Sequence, residues 1–227
     1  MPETGKRAAA RARTMQRITE IGQAQLDVDG VAGLSLREVA RELGMVSSAV
    51  YRYVASRDEL LTLLLVEAFN DLAATVTGAD GAAAQLDAAA RFGTVARRMR
   101  TWALAHPERW NLLYGTPVRG YAAPDDRTTE PGTRVMALFG EIAVAADPQA
   151  WAGLAVPQPA EPFLVAAAEA VRPGVQPAAV GLAMTLWSAT VGAISAELFG
   201  QWGELEAPAA EALFEVHLAA LGQLLAE

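Results

Sequence analysis

The sequence predicts an all-α protein, on three observations. Nearly every periodic stretch places its apolar residues at helical spacing. No run alternates apolar and polar residues as a half-buried strand does, and no β-branched or aromatic run is bounded by hairpin turns. Glycines, prolines and Ser-x-x-Glu boxes divide the chain into helix-sized segments.

The first helix is expected over about Arg13 to Asp27, where Ile18, Gly22 and Leu26 share a face that Met15 and Ile21 widen. "DVDGVAG" ends it, with Gly30 able to take the left-handed conformation. In "SLRE", Ser35 and Glu38 form a capping box for a second helix. Its Leu36, Val39, Ala40 and Leu43 face inward, and Gly44 breaks it. A third helix is expected from Val46 to Val54. Ser56 and Glu59 of "SRDE" open a fourth, through Leu60, Leu64, Ala68 and Leu72 to about Thr75. "TGADGAAA", residues 77–84, reads as a loop. A fifth helix spans about Ala84 to Ala105 and stops at His106, which Pro107 disfavours as helix. Pro107 suits the first turn of a sixth helix, through Leu113. "GTPVRGYAAPDD" is an irregular link, and a seventh helix covers about Glu130 to Ala146. The four-proline stretch 147–162 carries no assignment. Three more helices follow: Phe163 to Val171, Ala178 to Trp202 and Pro208 to Ala226. No internal repeat is visible.

Composition narrows the function. A chain of 227 residues can hold one large domain or two small ones. With no cysteine, disulfides, thiolate metal sites and a cysteine nucleophile are excluded. His106 and His217 stand far apart and away from carboxylate clusters, so neither a metal nor a cofactor is expected. The net charge of −8 is unevenly spread. Residues 1–60 carry nine Lys/Arg against eight Asp/Glu, and the remainder nine against eighteen. The first seventeen residues hold Lys6, Arg7, Arg11, Arg13 and Arg17 against Glu3 alone. Screening confines exposed charges to about 8–10 Å, so a basic arm on an acidic body suits a polyanion bound at one end. Residues 173–196 are uncharged over the length of a membrane span. Pro173, Pro177, several Gly, Ser and Thr, and the lack of a flanking basic cluster point instead to a buried helix. Residues 1–17 lack the apolar segment of a secretory signal. The expected setting is the cytoplasm, with no membrane.

Two short helices meeting at Gly44 form a helix-turn-helix candidate, in which the second helix enters the major groove and the first braces it. Val50 and Val54 hold the second helix to the body and leave Ser47, Ser48, Tyr51 and Arg52 facing outward. Arg reads guanine or pins phosphate, and Tyr and Ser hydroxyls reach phosphate oxygens. The start of the fourth helix adds free N–H groups beside Arg57, and Ser35 marks another such start. Taken singly, Tyr51 and Tyr53 also fit core aromatics and Arg52 a solvated charge. Together with the capping boxes and the basic arm, they read as an interface for double-stranded DNA.

"GLSLREVARELGMVSSAVYRYVASRDELL" resembles the N-terminal domain of the tetracycline-repressor (TetR) family of one-component bacterial regulators, over about Arg13 to Asp71. The resemblance implies that Tyr51, Tyr53 and Arg57 contact phosphate and that Ser47, Ser48 and Arg52 occupy base-reading positions. Val46 stands where the family usually starts its recognition helix with Ser or Thr, and Val54 replaces a common phenylalanine. "TWALAHPERWNLLYGTPV" and "LWSATVGAISAELFGQW" are similar to a C-terminal domain of many members, with Val191-Gly192 where that subfamily often has His-Gly. The expected domains are a flexible basic arm at 1–12, a three-helix helix-turn-helix domain at 13–56, and a larger helical effector-binding and dimerisation domain at 57–227.

A regulator of this family usually carries a pocket for a small-molecule effector. Phe92, Met99, Trp102, Trp110, Tyr114, Met136, Phe139, Met184 and Trp187 are the candidates to line it, although each taken alone fits ordinary core better. Gly181, Thr185, Gly192, Ala193 and Ala196 allow close helix approach, and Leu213, Val216, Leu221 and Leu224 supply apolar area for a homodimer. A core-only reading of that group also stands. A dimer is what two half-sites about 34 Å apart require. The expected function is a ligand-responsive repressor that binds a palindromic operator and is released by a small apolar effector, repression being the family's commoner mode. The alternative is a helical enzyme or binding protein with an apolar pocket and no DNA role. Against an enzyme, no phosphate-cradling glycine loop, metal cluster or Ser-His-Asp spacing is visible, and Glu141, Asp147 and Glu169 are isolated.

Overall fold

The computed structural model describes residues 3–226, the side chains of Glu3, Thr4 and Ala170 excepted. Met1 and Pro2 of the expected arm and Glu227 of the expected C-terminal domain lie outside the described residues. Among the described residues there are eleven α-helices, one 3-10 turn (Val31–Gly33) and no strand. The helices are α1 (Glu3–Asp29), α2 (Leu36–Glu42), α3 (Ser47–Val50), α4 (Arg57–Ala82), α5 (Ala88–Ala105), α6 (Pro107–Tyr114), α7 (Asp125–Ala145), α8 (Gln149–Ala152), α9 (Glu161–Val171), α10 (Pro177–Leu198) and α11 (Ala207–Gln223).

The chain packs as two compact units. One comprises the chain through Asn70 together with His106–Thr129; the other comprises Asp71–Ala105 and the chain from Glu130. These limits cut through α4 and α7 and do not fall at the expected boundary of residue 57. The first unit is built on Ile18, Leu26, Val39, Val50, Leu60 and Leu64, all fully buried, which bring α1 to α4 around one core. α6 packs on α1, and Leu112, Val118 and Tyr121 of the later segment lie against that core. In the second unit, α5 and α9 pack on α10, and α11 packs on both α5 and α10. Arg100 of α5 forms a paired contact with Glu197 of α10 at 2.7 Å, both largely buried, and Arg97 does the same with Glu215 of α11 at 2.6 Å. α4 and α10 are each long and apolar enough to cross a membrane by length and composition, yet about half of each apolar window is buried inside the protein.

Several boundaries differ from expectation. α1 begins at Glu3, so residues 3–12, expected as a flexible arm, are helical. Ala8, Ala9, Ala10 and Ala12 are strong helix formers that outweigh the lack of tertiary packing. α4 runs to Ala82 through the expected loop at 77–84. Ala79 and Ala83 are buried there, and the Asp80 carboxylate accepts a pair of hydrogen bonds from Arg91 at 2.9 and 3.0 Å. That lock holds a glycine-containing segment helical. α5 starts at Ala88 rather than near Ala84, because the Asp87 carboxylate accepts from the Ala90 N–H at 2.8 Å and caps it. α7 starts at Asp125, where two acidic residues meet the positive end of the helix and Pro131 lies within it. The unassigned proline-rich stretch contains α8.

Candidate nucleic-acid interface

The turn between α2 and α3 depends on Gly44, whose φ of 66° is left-handed. The Gly44 N–H reaches Arg41 O at 3.1 Å and the Met45 N–H reaches Ala40 O at 2.9 Å. These two bonds close the end of α2 as a Schellman motif. Ser35 caps its start, its hydroxyl accepting from the Glu38 N–H at 3.4 Å. The reciprocal half of that capping box is not made: the Ser35 N–H donates to Gln25 at 3.0 Å, and Glu38 pairs with Arg41. Ser56 caps α4 through the Glu59 N–H at 3.0 Å, again without the reciprocal bond, since Glu59 pairs with Arg127.

Val46 occupies the N-cap position of α3 in extended conformation, with no side-chain capping bond, and is 72% exposed. α3 proper is four residues, and the chain continues through Tyr51 to Tyr53 as turns, with Arg52 and Tyr53 bonded three residues back. It is therefore shorter than the expected span to Val54. Ala49, Val50 and Val54 are buried and anchor the segment. Ser47, Ser48, Tyr51 and Arg52 are exposed side by side, with Tyr51 at 47%. Tyr53 is half-buried against the core, and the Arg11 guanidinium stands over its ring at 5.0 Å.

The Arg57 Nε donates to Leu34 O at 3.3 Å and its Nη2 to Val31 O at 2.5 Å, tying the 3-10 turn to the start of α4. Half-buried, it braces the α1–α2 connection through these two bonds.

Sequence reasoning missed the contacts that join residues 106–129 to the helix-turn-helix. Arg109 donates to both oxygens of Asp27 at 3.0 and 2.7 Å. Burial works to raise the Asp27 carboxyl, but the Arg109 hydrogen bonds and charge, helped by Gln23, outweigh it and hold the group below its ordinary value. Arg127 donates to both oxygens of Glu59 at 2.9 and 2.8 Å, and that bond raises the Arg127 guanidinium further. Thr62 and Tyr121 share a hydroxyl–hydroxyl bond at 2.9 Å. The charges at Asp27, Glu59, Arg109 and Arg127 were legible as residues, but their pairing was not.

The expected effector-lining set is divided between the two units. Trp110 is fully buried in the first, its ring centre 4.6 Å from that of Tyr114, which meets Phe69 edge-on at 6.4 Å. Phe92, Met99 and Phe139 are fully buried in the second, with Phe92 and Phe139 edge-on at 6.0 Å. These side chains fill core. Trp102 is nearly buried and its indole N–H donates to Asp71 at 2.9 Å. Met184 packs against the Leu164, Ala168 and Val180 cluster, and Met136 and Trp187 are half-buried. A cavity of about 360 Å³ lies within the first unit among Leu65, Phe69, Leu112, Val118, Tyr121 and Thr128, none of them expected to line it.

Of the expected dimer residues, Thr185, Gly192, Val216 and Leu224 are exposed, and Gly181, Leu213 and Leu221 partly so. Ala193 and Ala196 face inward and are buried in the protomer, because they fall on the core side of α10.

Residues 92–221 match the family model described as the tetracyclin repressor-like C-terminal domain. The chain is 46% identical to the HTH-type transcriptional regulator Rv1816 of Mycobacterium tuberculosis strain H37Rv, over 88% of its own length and 86% of the relative's. It is 36% identical to the HTH-type transcriptional repressor DrrR1 of Streptomyces coeruleorubidus, over 54% of its length and 45% of that protein's. Its fold is similar to the crystal structure of the regulatory protein SCO4313, with a TM-score of 0.74, 31% identity, and coverage of 94% of this chain and 97% of that one. With a helix-turn-helix that presents hydroxyl and guanidinium groups at one surface, and with these relatives, the chain belongs to the TetR family of DNA-binding transcriptional regulators.

Proposed function

We propose that the protein is a ligand-responsive repressor that binds a palindromic operator as a homodimer in the cytoplasm and is released by a small apolar effector. The observation that carries the DNA-facing half is the joint exposure of Ser47, Ser48, Tyr51 and Arg52 on a segment anchored by Ala49, Val50 and Val54. In this reading Arg52, Ser47 and Ser48 face base edges, and Tyr51, Tyr53 and the α2 start at Ser35 face phosphates. Arg57 acts through its bonds to Val31 and Leu34, holding α4 in register with the α1–α2 connection. Residues 13–56 form the DNA-binding region and the following chain the effector-binding and dimerising one. The name of DrrR1 supports repression as the mode.

The apolar cavity near Phe69 and Tyr121 suits an effector, since ligand cavities run from about 300 to 1,000 Å³. Within the same unit, Trp110 and Tyr114 pack beside Phe69, which lines this cavity. Exposed Thr185, Gly192, Val216 and Leu224 support α10 and α11 as the dimer surface. An effector releases DNA only through a difference in affinity between two states of the dimer.

The test is an electrophoretic mobility shift with the DNA flanking the protein's own gene, at two salt concentrations. Specific, salt-sensitive retention is expected. Tyr51→Phe is expected to weaken every duplex alike, through loss of a phosphate bond. Arg52→Ala is expected to relax preference at particular base pairs by roughly 1–3 kcal/mol. Equal losses on all sequences for both variants would remove Arg52 from base reading.

A further inference from the structure

The cavity beside Phe69 owes its polarity to hydroxyl groups. Leu65, Phe69, Leu112 and Val118 supply apolar wall, and none of the described residues that line it is charged. A charged group entering it would lose its hydration without gaining a counter-charge, so the cavity suits a neutral molecule. Each hydroxyl carries a single proton, and the structure accounts for where those protons go. Thr62 is buried, and its hydroxyl contacts both Asp58 O and the Tyr121 hydroxyl at 2.9 Å. A carbonyl oxygen only accepts, so the Thr62 proton goes to Asp58 O. The Tyr121 proton then goes to Thr62 Oγ1, which is the one arrangement that satisfies both contacts. Thr128 is also buried, and its hydroxyl donates to Pro124 O at 2.8 Å. Tyr121 and Thr128 both line the cavity, yet the protons of both are committed elsewhere. What these two hydroxyls keep is acceptor lone pairs. Thr116, the remaining hydroxyl of the lining, is exposed to solvent.

We propose that this cavity selects a neutral, largely apolar effector that carries an O–H or N–H donor, with Tyr121 Oη as the acceptor that reads it. Thr62, outside the lining, is a positioning residue that holds Tyr121 in its accepting state. This rests on the reading of the cavity as the effector site. A ligand with an O–H or N–H exchanges a hydrogen bond to water for one to Tyr121. A ligand with only an ether or ring oxygen in the same place sets lone pair against lone pair and gives up its bond to water without replacement. Shape and apolar area then admit many molecules, and the committed protons decide among them.

The experiment uses the full-length protein and three bicyclic probes of nearly equal shape. Indole offers an N–H donor, benzofuran a ring oxygen that only accepts, and indene neither, so that indene gives the affinity due to shape alone. Affinities are measured by isothermal titration calorimetry for wild type, Tyr121→Phe and Thr62→Val, each checked for unchanged helicity by circular dichroism. Wild type is expected to bind indole about 5–10-fold more tightly than benzofuran, the size of one hydrogen bond. Tyr121→Phe is expected to bring that ratio close to unity. Thr62→Val frees the Tyr121 proton to donate into the cavity, and is expected to tighten benzofuran several-fold relative to indole. Equal binding of indole and benzofuran by wild type, with both ahead of buffer controls, overturns the proposal and leaves the cavity as an effector site of shape alone. An indole preference that survives both variants also overturns it, since Tyr121 would then not be the acceptor. Binding of none of the three probes at millimolar concentration removes the cavity from effector binding, and the proposal falls with that reading.

Discussion

Asp27 shows how one residue reports on the attachment of the later chain to the helix-turn-helix. It lies on α1, and its carboxylate is gripped by Arg109 of α6 through two hydrogen bonds. Because its carboxyl is held below the ordinary value, the interaction stabilises the folded unit above the ordinary carboxylate range of about 4. That contribution is lost as pH falls through the lowered value. Asp27 is partly exposed, so the pair is worth only about 0.2–1 kcal/mol. Arg109→Ala is expected to reduce stability by that amount in urea unfolding at pH 7, with the gap from wild type closing in acid, once pH has fallen below the lowered Asp27 value. A gap of the same size at pH 7 and in acid would mean that Arg109 acts through packing. At the same scale, Val46 explains why a recognition helix starts without a capping hydroxyl: the backbone of Val46 is already extended, and its carbonyl accepts from the Ala49 N–H at 2.9 Å.

Among the helices, α4 is one whose length local pattern misjudged. Gly78 and Gly81 read as loop residues, and helix propensity alone would end the helix before them. The Asp80–Arg91 pair, with side chains only 16% and 15% exposed, supplies two charge-assisted bonds from α5. Asp80→Ala raises intrinsic helix propensity while removing that lock, so the two causes predict opposite outcomes. If the lock dominates, amide exchange over residues 78–82 is expected to accelerate by about 10–100-fold, corresponding to about 1.5–3 kcal/mol. The first turns of α4, held by Ser56 and by the Arg127–Glu59 pair, are expected to keep their protection. Unchanged or slower exchange at 78–82 would assign the extension to the buried packing of Ala79 and Ala83.

For the whole molecule, the prediction concerns the dimer. Val216 is 63% exposed on α11, and Thr185 and Gly192 are exposed on α10. Val216→Arg introduces a charge that a packed twofold contact would bury without a partner. It is expected to give a monomer by light scattering. Loss of the second half-site contact should then lower operator affinity by about 100-fold or more. A variant that remains dimeric would move the interface away from this face of α11.

The sequence by itself determined what depends on neighbours three to five residues away. The all-α class, the Ser35 and Ser56 helix starts, the Gly44 turn and the outward set Ser47, Ser48, Tyr51 and Arg52 all follow from capping, periodicity and the left-handed freedom of glycine. Tertiary structure alone decided the pairs that close over long separations: Asp27 with Arg109 across 82 residues, Glu59 with Arg127 across 68, and Thr62 with Tyr121 across 59. It also tied Arg57 to Val31 and Leu34, and sent Trp110 and Phe92 to different units. The physical reason is that periodicity tells a helix which face to bury and carries no label for the surface that will cover it. A buried tryptophan, or an arginine seeking a carboxylate, satisfies the same local pattern in either unit. Only the packed chain selects its partner.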